Sequence, residues 1–411
     1  MPRRKNVILI IWHDLGRHLS CYGAGSARSP CLDRMAADGV LFQNHFSVGS
    51  VCVPSRCGIL TGKYPGRNEL WRCSPSERAL PALFRAAGYT TARFGFQEEQ
   101  EFFPQDPNIR LDQFAQKVLG YGHVYGNGEK DAAWVADQVC RFLESHQNQP
   151  LFLCAEFSEA HGPYGGEVSA EELARTLPPP ELPCFPNSPE ALRVVAALEQ
   201  KIFAADRETG RILRQVESSG LRDDTLVLFT TDHGVDLPRA KMTLYDPGIQ
   251  AALILWGGCA RGWRDAGLHS HVDLMPTLLE YAGLPVPEDI QGLSFLDAAY
   301  GRRSPGRAYV AAQKAWEAKE KSDAVRTSRY KYIRHARQGQ SLSLPPAFLQ
   351  AVGGSIAERR YPLRLPQTEL YDLYQDPQEL ENLAPRPEYR AVLSQMEEIR
   401  KKELATEEVS L

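Results

Sequence analysis

Asn6-Val7-Ile8-Leu9-Ile10-Ile11-Trp12 runs directly into His13-Asp14, and the reading of this stretch decides the fold. A continuous β-branched and apolar run, without polar alternation, is the pattern of a strand buried on both faces in a parallel sheet. An α/β architecture follows, with helices covering the sheet. A second run of the same kind, Thr225-Leu226-Val227-Leu228-Phe229-Thr230-Thr231, leads into Asp232-His233-Gly234. Ligands in open α/β sheets bind beyond the carboxyl ends of the strands, which places His13, Asp14, Asp232 and His233 at one site. Two carboxylates and two imidazoles ending two strands of one sheet predict a divalent metal centre rather than a pair of hydrogen-bonded loops.

The remaining chain supplies the other layers. Ser29 to Gly39 reads as a capped helix closed by Gly39, with Val40 to Phe42 as a short strand. Leu80 to Ala87 is helical, and Gly88 to Gly95 turns into a strand. Residues 99 to 128 show no clear period and are expected to be loops over the sheet edge. Asp131 to Ser145 is amphipathic and leads to a strand at Leu151 to Ala155, followed by Ala160-His161-Gly162-Pro163-Tyr164. A proline-rich crossing at Pro178 to Pro189 precedes a long helix to Gly220. Ile249 to Trp256 is expected as a strand, and His271 to Leu279 as a helix. A Gly-, Arg-, Ser- and Pro-containing link at Gly301 to Arg307 changes the composition. Beyond it, Ala308 to Ala312, Asp323 to Thr327, Arg329 to Arg334 and Glu369 to Leu373 suggest a small antiparallel sheet, closed by a helix at Glu388 to Lys402. The expected division is 1–303 for the site-bearing domain and 304–411 for the smaller one.

Between these two regions of interest stands Val51-Cys52-Val53-Pro54-Ser55-Arg56-Cys57-Gly58-Ile59-Leu60-Thr61-Gly62. Proline suits a first helical turn, and the free N–H groups of that turn attract anions. Arg56 follows Cys52 by one helical turn, so its guanidinium can serve an anion held there. Cys52-Val53-Pro54-Ser55-Arg56 with Leu60-Thr61-Gly62 closely resembles the signature of the formylglycine-dependent sulfatases of the alkaline phosphatase superfamily. The resemblance extends over nearly the whole chain. It implies a mixed, mostly parallel sheet sandwiched by helices, with a smaller C-terminal antiparallel sheet. It implies that Cys52 is oxidised to formylglycine by a maturation enzyme, and that Lys241 and His161 contact the sulfate group, His161 also serving the leaving oxygen. It implies a divalent ion held by His13, Asp14, Asp232, His233 and position 52: calcium is the family's ion, while two imidazoles favour manganese or zinc.

Two departures stand out. The family's first strand ends in two acidic ligands, and here the first is His13, as in a minority branch. The family's Gly-Lys-Trp-His quartet is Gly95-Phe96-Gln97-Glu98, so the usual Lys and His are absent. Glu98 is then expected as the base and Gln97 as a sulfate contact; an exposed acidic run, Glu98-Glu99-Gln100-Glu101, is the competing reading.

Composition narrows the setting. The net charge is −4 over 411 residues and no Lys/Arg block stands out, which argues against nucleic acid and against an anionic membrane surface. Met1 to Lys5 leads into an apolar run too short and wrongly followed for a signal peptide. Nine Cys in no paired metal spacing suggest reduced thiols and a cytoplasmic protein. The expected function is hydrolysis of sulfate esters, or sulfamates, most plausibly on a sulfated sugar. A phosphonate or phosphate ester hydrolase on the same scaffold is the alternative, since the same groups stabilise any tetrahedral oxyanion. A non-catalytic anion binder is a third reading, against which the retained Cys52 argues.

Overall fold

The computed structural model describes residues 5–67, 78–96, 111–126, 131–146, 148–182, 185–303, 306–314, 321–342, 344–352 and 364–404. Its centre is an eight-stranded sheet built from β1 (Asn6–Trp12), β2 (Val40–Phe46), β3 (Thr90–Gly95), β4 (His123–Tyr125), β5 (Leu151–Phe157), β6 (Thr225–Thr231), β7 (Leu253–Gly257) and β8 (Trp263–Ser270), in the order β4-β3-β5-β1-β6-β7-β2-β8. Every residue of β1, β5 and β6 is buried, as the unbroken apolar runs require of strands covered on both faces. β1 pairs in parallel with β5 and β6, and β7 is antiparallel to both of its neighbours.

The two faces are covered by different helices. Ile8, Ile10 and Trp12 point into a core shared with Pro30–Ala37, Ala132–Ser145 and the long Pro189–Ser218 helix, whereas Val7, Leu9 and Ile11 face Cys52–Thr61 and Leu274–Tyr281. Asp131 caps its helix by accepting from Trp134 N at 2.7 Å, and Ser188 caps the long helix. Each cap meets an otherwise orphaned N–H.

Several expected boundaries shift. Residues 111 to 125 are not all loop: a helical turn over 111–119 and edge strand β4 lie there, their three-residue pairing with β3 being too short to leave a period. β7 begins at Leu253 rather than Ile249, because Asp246–Ile249 forms a helical turn first. β8 has no clear counterpart in the sequence reading; its outer half is exposed, so its apolar pattern is weak. β5 runs two residues beyond Ala155, which brings Glu156 inside the sheet.

The smaller sheet follows expectation. β9 (Tyr309–Lys314), β10 (Ser322–Thr327), β11 (Tyr330–His335) and β14 (Thr368–Asp372) lie antiparallel in the order β14-β11-β10-β9, beside a two-stranded ribbon of β12 (Gln340–Ser341) and β13 (Arg364–Leu365). The helix Arg390–Leu404 packs on it. Among the described residues, no helix is long and apolar enough to cross a membrane.

Candidate active site

The parallel register of β1 and β6 sets Trp12 beside Thr231, and Asp232 N donates to Trp12 O at 3.1 Å. The residues that follow each strand therefore emerge together. Asp14 has φ 50°, in the left-handed region that a short polar side chain tolerates. This turn lets its N–H donate to Asp232 Oδ1 at 2.9 Å while its carboxylate swings towards His233, whose Nε2 lies 3.0 Å from Oδ1. After His233 comes Gly234, where a Cβ would meet Pro247 O at 1.9 Å, so only glycine lets the two segments close.

The signature helix spans Cys52–Thr61, all ten residues buried, and begins at Cys52 itself rather than at Pro54. Cys52 Sγ lies 3.2 Å from His233 Nε2 and 3.6 Å from Asp14 Oδ1. Asp14, Cys52, Asp232 and His233 each offer a ligand atom within 4.8 Å of the others. Asp232 Oδ2 is buried without a hydrogen bond, a state that costs free energy unless a cation satisfies it. Two carboxylates, an imidazole and position 52 fit a divalent ion. His13 stands just outside this group: its Nδ1 is 3.5 Å from Asp232 Oδ2 and its Nε2 3.7 Å from Glu156 Oε2.

Charge around Asp14 is dense. Burial opposes its ionisation, yet Lys241 and then His233 hold its carboxyl well below the usual carboxylate range. Burial pulls His233 down, but Asp232 and Asp14 outweigh it and raise the imidazole above its ordinary value. His13 goes the other way, pushed well below by burial and then by Arg56, and is neutral. Lys241 forms an ion pair with Asp14 Oδ2 and lies 3.9 Å from Asp236. Its segment is pinned by Lys241 N to Val235 O and by Met242 N to Ser50 O. His161, partly exposed, donates from Nδ1 to Gly162 O at 2.8 Å and turns Nε2 to Asp14, 3.6 Å away. Arg56 lies on the Cys52 side of its helix, and its guanidinium contacts Glu156. Gln97 and Glu98 lie outside the described residues; Phe96 just before them packs its ring 4.7 Å from that of His13.

The sequence reading passed over three further groups. Glu156 is fully enclosed between Arg56 and Arg93, and its signal was a lone charge inside an otherwise apolar strand. Ser55 donates to Asp232 O and shares a hydrogen bond of 2.9 Å with His271 Nδ1; burial pushes His271 down to about 3, so it is neutral there. Tyr164, beside His161, lines a cleft of about 620 Å³ with Pro163, Glu167, Arg193 and Gln350.

The sulfatase family profile matches residues 5–284. The chain belongs to the sulfatase family. As a sulfatase it is a sulfuric ester hydrolase. It is 28% identical to an ulvan-active sulfatase of Formosa agariphila, over 96% of this chain and 74% of that protein. It is 25% identical to the N-sulphoglucosamine sulphohydrolase of Homo sapiens, over 96% of this chain and 88% of the relative. The sulfatase also superimposes on a phosphonate monoester hydrolase of Agrobacterium radiobacter with a TM-score of 0.74, at 20% identity, covering 98% and 96% of the two chains. That last likeness is one of fold.

Proposed function

We propose that this sulfatase cleaves sulfate from a sulfated carbohydrate, with Cys52 as formylglycine and Asp14, Asp232 and His233 as ligands of one divalent ion. The observation that carries the reading is the convergence of Cys52, Asp14, Asp232 and His233 at the N-terminus of a buried helix. Relatives named for ulvan and for N-sulphoglucosamine support a sulfated sugar, sulfamates included, and the cleft lined by Pro163 and Tyr164, which follow His161 in the chain, has the volume of a small-ligand site. Nine Cys in no paired metal spacing agree with a cytoplasmic setting, where a formylglycine-generating enzyme would act on the nascent chain.

When bound, the metal would supply Lewis-acid stabilisation of sulfate oxygens, and the aldehyde at position 52, once hydrated by water, would supply a hydroxyl nucleophile. The protein's own groups do the rest. Lys241 brings a positive charge to the anion and, through Asp14, stays fixed in the pocket. His161 sits at the mouth, where Nε2 can give a proton to the departing sugar oxygen. Arg56 holds the anion side of the helix start. Glu98 we propose as the base that completes turnover, and Gln97 as a contact to sulfate. Asp14, Asp232 and Ser55 orient the centre through their mutual hydrogen bonds and the contact to His233.

The test pairs peptide mass spectrometry of position 52 with kinetics. Protein carrying formylglycine should give measurable kcat/KM on sulfated mono- or disaccharides and at least ~100-fold less on matched phosphonate monoesters, a difference of about 2.7 kcal/mol in transition-state binding. A preference for phosphonates, or full activity with unmodified Cys52, would overturn the reading.

A further inference from the structure

Glu156 is the penultimate residue of β5 and is as buried as the apolar strand around it. The register sets it opposite Ile11 of β1 and Gly95 of β3. Gly95 has φ +93°, and a Cβ there would meet the Glu156 carbonyl at 2.2 Å, so the backbone of β3 presses close at this point. One carboxylate oxygen of Glu156 meets the Arg56 guanidinium, and the other lies 2.7 Å from Arg93 Nη2. Arg93 also donates to Phe96 O at 2.9 Å. Both arginines are 1% exposed. The carboxylate thus stands between a guanidinium from the signature helix and one from the strand that leads to Gln97 and Glu98.

A carboxylate cannot attract a sulfate ester, but it can govern the cations that do. We infer that Glu156 is a positioning residue that sets the affinity of the site for sulfate, by fixing the orientation of Arg56 and cancelling part of the charge of the Arg56 and Arg93 pair. The inference rests on the reading of Cys52 and its neighbours as a sulfate-ester site. Its physical reason is turnover. A buried guanidinium without a counter-charge grips a dianion strongly, and binding that strengthens substrate and product alike does not raise kcat. Replacing Glu156 by its isosteric amide removes one negative charge shared by two buried guanidiniums, whatever else surrounds them.

Titration calorimetry of the full-length protein with sodium sulfate tests this without requiring turnover. Glu156→Gln should bind sulfate more tightly, with Kd lower by on the order of tenfold, and where formylglycine is present kcat and KM should both fall. Adding Arg93→Gln to Glu156→Gln removes the extra positive charge and should return Kd towards the parent value. A merely structural role would weaken sulfate binding rather than tighten it. Unchanged or weaker binding by folded Glu156→Gln, or no reversal in the double variant, overturns the inference. So does failure of both variants to fold, which would make Glu156 a structural residue alone. Absence of sulfate binding by the parent would instead refute the reading of the site, and the inference with it.

Discussion

At Asp14 one carboxylate meets His233, Lys241 and His161, and its neighbour His13, one peptide away, meets none of the converging ligand atoms more closely than 3.5 Å at Asp232. The left-handed turn at Asp14 carries its carboxylate into the cluster, while His13 stops 3.5 Å from Asp232 Oδ2. Asp14→Asn should therefore abolish stoichiometric metal after chelation and reconstitution, while His13→Gln should weaken it by ~10- to 100-fold, the usual loss for an outer-sphere partner. Equal loss in both, measured by elemental analysis, would put His13 in contact with the ion. A second residue prediction concerns Glu98, argued from its alignment with the family's base. Glu98→Gln should lower kcat by roughly 10²- to 10⁴-fold, as loss of a general base does; turnover at the parent rate would assign the proton to another group.

The elements are held at the site by a few buried polar ties. Ser55 fastens the signature helix to the end of β6 through Asp232 O and to the His271 turn through Nδ1. Ser55→Ala takes one hydrogen bond from the buried Asp232 carbonyl and one from His271, and should cost about 1–3 kcal/mol in denaturant unfolding together with a loss of activity. A stability within 0.5 kcal/mol of the parent, the usual spread for a neutral substitution, would show that the tie is idle. A second tie pins the proline-rich crossing. His18, buried after β1, bonds Glu181 at 2.9 Å and Glu199 at 3.3 Å. Burial alone would lower its pKa, but Glu181 and then Glu199 reverse this and raise it from 6.5 to about 10. A cationic acid whose folded pKa exceeds its unfolded value stabilises fully below the unfolded pKa, and that stabilisation is lost as pH rises through the folded one. Melting temperature should thus fall progressively between pH 6.5 and about 10, and His18→Gln should flatten the fall. Parallel curves for the two proteins would remove His18 as the cause.

Across the whole molecule the two sheets share their cores. Phe46, Leu244, Tyr245, Ile249 and Leu268 of the large sheet's surroundings pack in one cluster with Val310, Ala312, Ala324 and Ile333. Lys331, fully buried in β11, lies 2.7 Å from Asp246 and 3.2 Å from Glu379. The division at 1–303 and 304–411 is, we propose, one of architecture and not of folding. A chain ending at residue 303 would expose that apolar cluster to water and strip Asp246 of both Lys331 and Arg326. It should lack a cooperative thermal transition. Melting of the fragment near the parent temperature would show instead that 1–303 folds alone.

Short-range physics made much of this legible beforehand. Unbroken β-branched runs bounded by polar turns read as strands buried on both faces, and strand direction sends Asp14, Asp232 and His233 to one end of the sheet, whereas the parts assigned to Cys52, Lys241 and His161 come from the resemblance to the sulfatase signature. The sequence by itself determined the α/β class, the small antiparallel sheet and the end of the large sheet at which the candidate ligand cluster lies. Only the tertiary structure decided which of His13 and Asp14 faces it, because that depends on a left-handed turn at Asp14 stabilised by Asp232 from another strand. It alone gave Arg56 a carboxylate partner, since Glu156 and Arg56 are a hundred positions apart and meet only through sheet order. It also placed β4 and β8 at the edges, where pairing is short or one face is wet and the apolar period that announces a strand has nothing to sustain it.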